Sequence, residues 1–111
     1  MAVFGIFGSM FGGRHVADAA AEVFARARDE VWTRVERKIT GMSQAEAMGY
    51  TRAHAKMLID QLTADVVASH PKLGAWAHNE VREEAMRQLI GSIWRVALET
   101  KKARFEHRAA A

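Results

Sequence analysis

Residues 15–40 read HVADAAAEVFARARDEVWTRVERKIT. Within this stretch Val16, Ala20, Val23, Phe24, Ala27, Val31, Val35 and Ile39 recur mostly at steps of three and four, the spacing that lines apolar side chains along one face of an α-helix. The charges agree with that reading. Asp18 and Glu22 come early, Arg34, Arg37 and Lys38 come late, as the helix macrodipole favours, and Gly41 follows as a candidate C-cap. Glu22 with Arg26 and Glu30 with Arg34 stand four apart, where opposite charges meet on the wet side of a helix. The stretch predicts a long amphipathic helix from His15 to about Thr40, and the sequence around it decides what that helix packs against.

Downstream, Ser43-Gln44-Ala45-Glu46 has the spacing of a capping box, in which the serine hydroxyl and the glutamate carboxylate each satisfy an orphan backbone N–H. A second helix is expected to start there, with Met48, Ala55, Leu58, Ile59, Leu62 and Val66 as its apolar face. It must stop near His70, because Pro71, the chain's single proline, disfavours helical backbone at the residue before it. A link of about three residues makes these two helices antiparallel neighbours.

The third helix has two candidate starts: Pro71 as a first helical residue, or Asn79 followed by Glu80 and Glu83. Its core-facing stripe would carry Val81, Ala85, Met86, Leu89, Ile90, Ile93, Val96 and Ala97, with Glu83–Arg87 and Arg95–Glu99 pairs on the exposed side. Gly91 falls inside this helix, where glycine costs up to ~1 kcal/mol against alanine, and a close helix crossing would compensate. The expected fold is all-α: a three-helix antiparallel bundle, or a helical hairpin plus a long third helix, with an apolar N-terminal segment. Phe24, Val31, Leu58, Leu62, Leu89 and Ile93 are expected among its core residues.

The bulk composition fits one domain of this kind. The chain has 111 residues, half of them apolar and 26% charged, the balance of a folded globular protein. It contains no cysteine, which excludes disulfides, thiolate metal sites and a cysteine nucleophile, and fits a cytoplasmic protein. The net charge is only +3, well short of the basic stripe of a dedicated nucleic-acid binder, so nucleic acid is a weak third option as partner. Lys101, Lys102, Arg104 and Arg108 against Glu106 supply that whole excess in the last twelve residues. The sequence thus divides into an apolar docking or anchoring segment, 1–13, and a helical domain, 14–111, with a basic C-terminal tail.

No catalytic constellation emerges. The histidines, at 15, 54, 70, 78 and 107, include no pair at i,i+4 and no Glu-x-x-His motif, leaving only a metal site assembled from distant positions such as His54, His78 and a carboxylate. Glu80, Glu83 and Glu84 suit the first turns of a helix whatever the protein does. None of the four serines has a nucleophile-elbow context, and no phosphate-binding glycine loop follows a predicted strand. Trp32, Trp76 and Trp94 with six methionines could line an apolar ligand pocket, although at helical spacing they read first as core. No enzyme activity, cofactor or metal is expected.

The segment MAVFGIFGSMFGG, residues 1–13, is the anomaly. It has no charged side chain, and Phe4, Phe7 and Phe11 stand at i, i+3 and i+7 with Ile6 and Met10 beside them, while Gly5, Gly8 and Gly12 repeat that spacing one residue on. In a helix it would reach ~20 Å, short of the ~30 Å hydrocarbon core of a bilayer. Its glycines argue against a stable lone helix in water, so it orders against something: its own domain, a second copy, a partner protein or a lipid interface. The expected role is a non-enzymatic helical adaptor or assembly component. It would dock or form a homo-oligomer through Phe4, Ile6, Phe7, Met10 and Phe11. The runner-up is a peripheral protein of a lipid or other hydrophobic surface, with Lys101, Lys102 and Arg104 adding a salt-dependent attraction.

Overall fold

The computed structural model describes residues 13–110, and the segment 1–12 lies outside the described residues. Three helices form the fold: α1, Gly13–Ile39; α2, Gln44–Ser69; and α3, His78–Ala110, entered through a single 3-10 turn at Ala75–Ala77. Each helix packs on both of the others, giving an antiparallel three-helix bundle in which α1 and α3 run the same way. The described residues contain no strand.

The core is built on one rule. Rows of every fourth residue are buried: Val23, Ala27, Val31, Val35 and Ile39 on α1; Ala47, Thr51, Ala55, Ile59, Thr63 and Val67 on α2; Val81, Ala85, Leu89, Ile93 and Ala97 on α3, continued by Ala77 in the 3-10 turn before it. With ~3.6 residues per turn, each four-residue step advances ~40° around the helix, so these rows wind across the surface instead of following the axis. They are the i±4 ridges, and helices that meet along such ridges incline to one another. Alanine, threonine and valine dominate the rows and let the backbones come close. The large residues Phe24, Trp32, Leu58, Leu62 and Trp94 pack half-buried along their edges.

This drift explains why the expected face of α2 is partly wrong. Ala55, Ile59 and Val66 are buried as expected, but Met48 is exposed, Leu58 and Leu62 are only half-buried, and Ala47, Thr51, Thr63 and Val67 take the interior positions. Thr51 and Thr63 are the two buried polar residues of the described core. A face chosen by hydrophobicity at a fixed angle passes over threonine, whose methyl group packs as valine's does while its hydroxyl masks it in the pattern.

Boundaries follow local chemistry. At α2 the capping box forms: the Glu46 backbone N–H donates to Ser43 Oγ at 3.3 Å, and the Ser43 N–H donates to a Glu46 carboxylate oxygen at 3.3 Å. The Ser43 hydroxyl, donating to the same carboxylate at 2.8 Å, and then the Ser43 backbone N–H hold the Glu46 carboxyl below its ordinary titration range. Helix α1 ends one residue earlier than expected, and Gly41 is not in the left-handed region, so it is no left-handed C-cap. Instead the Gly41 and Met42 N–H groups donate to Lys38 and Ile39 carbonyls. Pro71 does not open α3. It lies in the turn after α2, and α3 starts at His78, one residue before the Asn79 alternative.

Two further expectations are corrected. A Cβ at Gly91 would meet nothing within 4 Å, and the residue is exposed, so no helix crosses there. Arg87 pairs with Glu84, its Nε donating at 3.0 Å, while Glu83 faces Arg82 at 3.3 Å instead. The Glu84 carboxyl is held below its ordinary range chiefly by that hydrogen bond from Arg87.

Candidate functional site

The chain from Val67 to His78 carries α2 into α3, and its residues shape a groove at that end of the bundle. The cleft holds about 640 Å³ and is lined by Ala64, Val67, Ala68, Pro71, Leu73, Gly74 and Ala75, with His70 and His78 as the polar members. The volume lies within the ~300–1,000 Å³ of ordinary ligand pockets. Its walls are small because the sequence places alanine at 64 and 68, one turn apart on the outer side of α2, and then breaks the helix with His70-Pro71. The His70 N–H closes the last turn on the Val67 carbonyl at 3.2 Å, and the Leu73 N–H returns to the His70 carbonyl at 3.1 Å. That second turn folds Leu73 inward, where it is buried.

Trp76 lies against Gly74, one of the lining residues. Its side chain is 55% exposed, yet the indole lies so close to Gly74 that a Cβ there would stand 2.9 Å from its Cδ1. Only glycine accommodates the ring in this position. The groove itself is lined mainly by apolar side chains, and the exposed indole lies against one of its lining residues, Gly74.

The same end of the bundle receives the start of α1. Glu22 Oε1 lies 3.7 Å from Nε2 of the groove residue His70, and α1 runs antiparallel to α2, so Gly13 lies nine residues further toward the end where α2 stops. The expected docking residues Phe4, Ile6, Phe7, Met10 and Phe11 fall outside the described residues, but the point where their segment joins the fold is fixed at this end.

The basic tail is at the opposite end. Lys101 is committed to the fold: its ammonium donates to the Met42 carbonyl at 2.8 Å and lies 5.0 Å from the Trp94 ring centre, tying α3 to the α1–α2 turn. Beyond it α3 outruns its partners, and Lys102, Arg104, Phe105 and Arg108 are all exposed, Phe105 by 73%. Of the three basic residues expected at an interface, Lys102 and Arg104 are thus presented to solvent, while Lys101 is a strut.

The remaining candidates stay apart. Among the described residues no group of three His, Asp or Glu side chains gathers in metal-binding geometry. His54 is exposed and stacks on Tyr50 with ring centres 4.1 Å apart. Trp32 and Trp94 pack on the core edge while Trp76 is exposed, so the three tryptophans do not share a pocket. The reading of the sequence missed the groove. Its available signal was Leu73, a large apolar residue beside Pro71 and Gly74 in what composition marks as a connecting turn. No described helix is long and apolar enough to cross a membrane. Comparison with known protein families, with curated proteins and with solved structures yields no match.

Proposed function

We propose that the chain is a non-enzymatic helical adaptor or assembly component that docks through its apolar N-terminal segment onto a partner protein or a second copy. The observation that carries this reading is the pairing of two apolar elements at one end of the bundle. One is the groove lined by Ala64, Ala68, Pro71 and Leu73, and the other is Gly13, where the segment with Phe4, Phe7 and Phe11 enters the fold. Each ring is worth ~1.5–3 kcal/mol if fully removed from water, less the cost of ordering a glycine-rich stretch.

Light scattering behind size exclusion, on the full chain and on its Phe7→Asp/Phe11→Asp variant at two concentrations, tests the assembly arm. A defined oligomer that the variant reduces to a single folded chain supports it. The same single-chain species for both removes self-assembly and leaves a foreign partner. A second reading, attachment to an anionic lipid surface, is favoured by the exposed Lys102, Arg104, Phe105 and Arg108 on the free end of α3. Flotation with anionic vesicles that is lost in the same variant and weakened by salt would put that reading first.

A further inference from the structure

We infer that the groove at the turn from α2 to α3 is the docking site of the chain's own N-terminal segment, with Phe7 and Phe4 seated against Ala64, Ala68, Pro71 and Leu73. The inference rests on reading residues 1–13 as a docking element and adds where that element is held before a partner claims it.

Three observations converge. The groove is apolar and open, and the small side chains of Ala64, Ala68, Pro71 and Ala75 along it leave room for larger ones. The chain itself supplies an uncharged stretch of matching chemistry, with three phenylalanines in its first eleven residues. That stretch is tethered at the correct end. Gly13 lies nine residues, or ~14 Å of helix, beyond the level where Glu22 meets His70, and extended chain covers ~3.3–3.6 Å per residue. From Gly13 the six residues back to Phe7 therefore span up to ~20 Å and the nine back to Phe4 up to ~30 Å, and the reversal of direction that the groove requires falls before Gly13, where α1 begins. A tether this short holds the rings at an effective concentration in the millimolar range, so the segment of the same chain occupies the groove ahead of one from another molecule.

The absence of cysteine makes the test clean. In the full chain, Ser9→Cys is combined with Ala68→Cys in the groove, or with Arg37→Cys near the far end of α1 as a control, and each is oxidised at two protein concentrations. The expected result is a disulfide within one chain for the Ser9/Ala68 pair, at a rate independent of concentration and at least tenfold faster than for Ser9/Arg37. Phe4→Ala/Phe7→Ala in the same background should abolish that advantage. Equal rates for the two pairs, or disulfide-linked dimers in place of the intramolecular product, would overturn the inference. Its failure is separable from that of the docking reading. If the Ser9/Ala68 advantage is missing while Phe7→Asp/Phe11→Asp still abolishes assembly, only the groove assignment falls. If the disulfide forms and that variant changes neither assembly nor lipid binding, the docking role falls and the groove assignment stands.

Discussion

Replacing Gly91 by alanine should stabilise the protein, and the size of the gain follows from the structure. Gly91 lies inside α3 on its solvent side, and a Cβ there would find no atom within 4 Å. The substitution therefore incurs no steric penalty and collects the full helix-propensity difference, ~1 kcal/mol. Gly49, inside α2, presents the same open space. The two lie on different helices and share no contact, so their effects should add to ~2 kcal/mol. For a domain of this size ~1 kcal/mol moves the melting temperature by ~4–8 °C. Thermal unfolding followed by circular dichroism on Gly91→Ala, Gly49→Ala and the double variant measures it. An unchanged or lowered midpoint in dilute solution would refute the reasoning. A loss for Gly91→Ala that grows with protein concentration would show that a second copy covers this face in solution.

Thr63→Val should also stabilise, by ~1 kcal/mol in a urea titration, because the Thr63 hydroxyl is buried without a partner and valine keeps the shape. Ser43→Ala should cost ~1 kcal/mol through loss of the cap on α2, visible as a lower denaturation midpoint. The Glu46 carboxyl is depressed in the fold, so its contribution is present above the ordinary glutamate range and is lost as acid carries the pH down through the depressed value. Ser43→Ala should therefore flatten the acid limb of the stability profile below about pH 4.5. Lys101→Met should remove a charge-assisted hydrogen bond worth ~1.5–3 kcal/mol and raise hydrogen exchange at the α1–α2 turn around Met42, leaving the groove end unaffected.

The legible part of the fold was carried by residues whose chemistry acts locally. Ser43 and Glu46 need only each other to start α2, and Pro71 alone stops it, so both boundaries could be read directly. The row on α1 was equally plain because its positions are valine, alanine and isoleucine against charged neighbours. On α2 the row passes through Thr51 and Thr63, while Met48 and Met57 lie outside, Met57 with 83% exposure, so hydrophobicity pointed to a face rotated from the true one. Gly91 looked like a packing device and is a bare patch of surface, since a glycine's purpose depends on a neighbour that the sequence does not name. The groove escaped notice for a related reason. It is made largely from alanine, proline and glycine, residues that read individually as spacers and form a concave surface only when the turn gathers them at the end of α2.

The contact of α1 with α3 has a consequence for how the chain is made. Arg28 reaches Ser92 at 3.2 Å across sixty-four positions of sequence, and the buried rows of the first and last helices face each other. On a ribosome the hairpin of α1 and α2 is complete while α3 is still being added, so its valine and alanine rows stay open to water until α3 emerges. The short links between helices favour fast closure once α3 is free. Until then the nascent chain displays a half-built core beside the phenylalanine-rich residues 1–13, the stage at which a chaperone or another nascent copy would find it most adhesive.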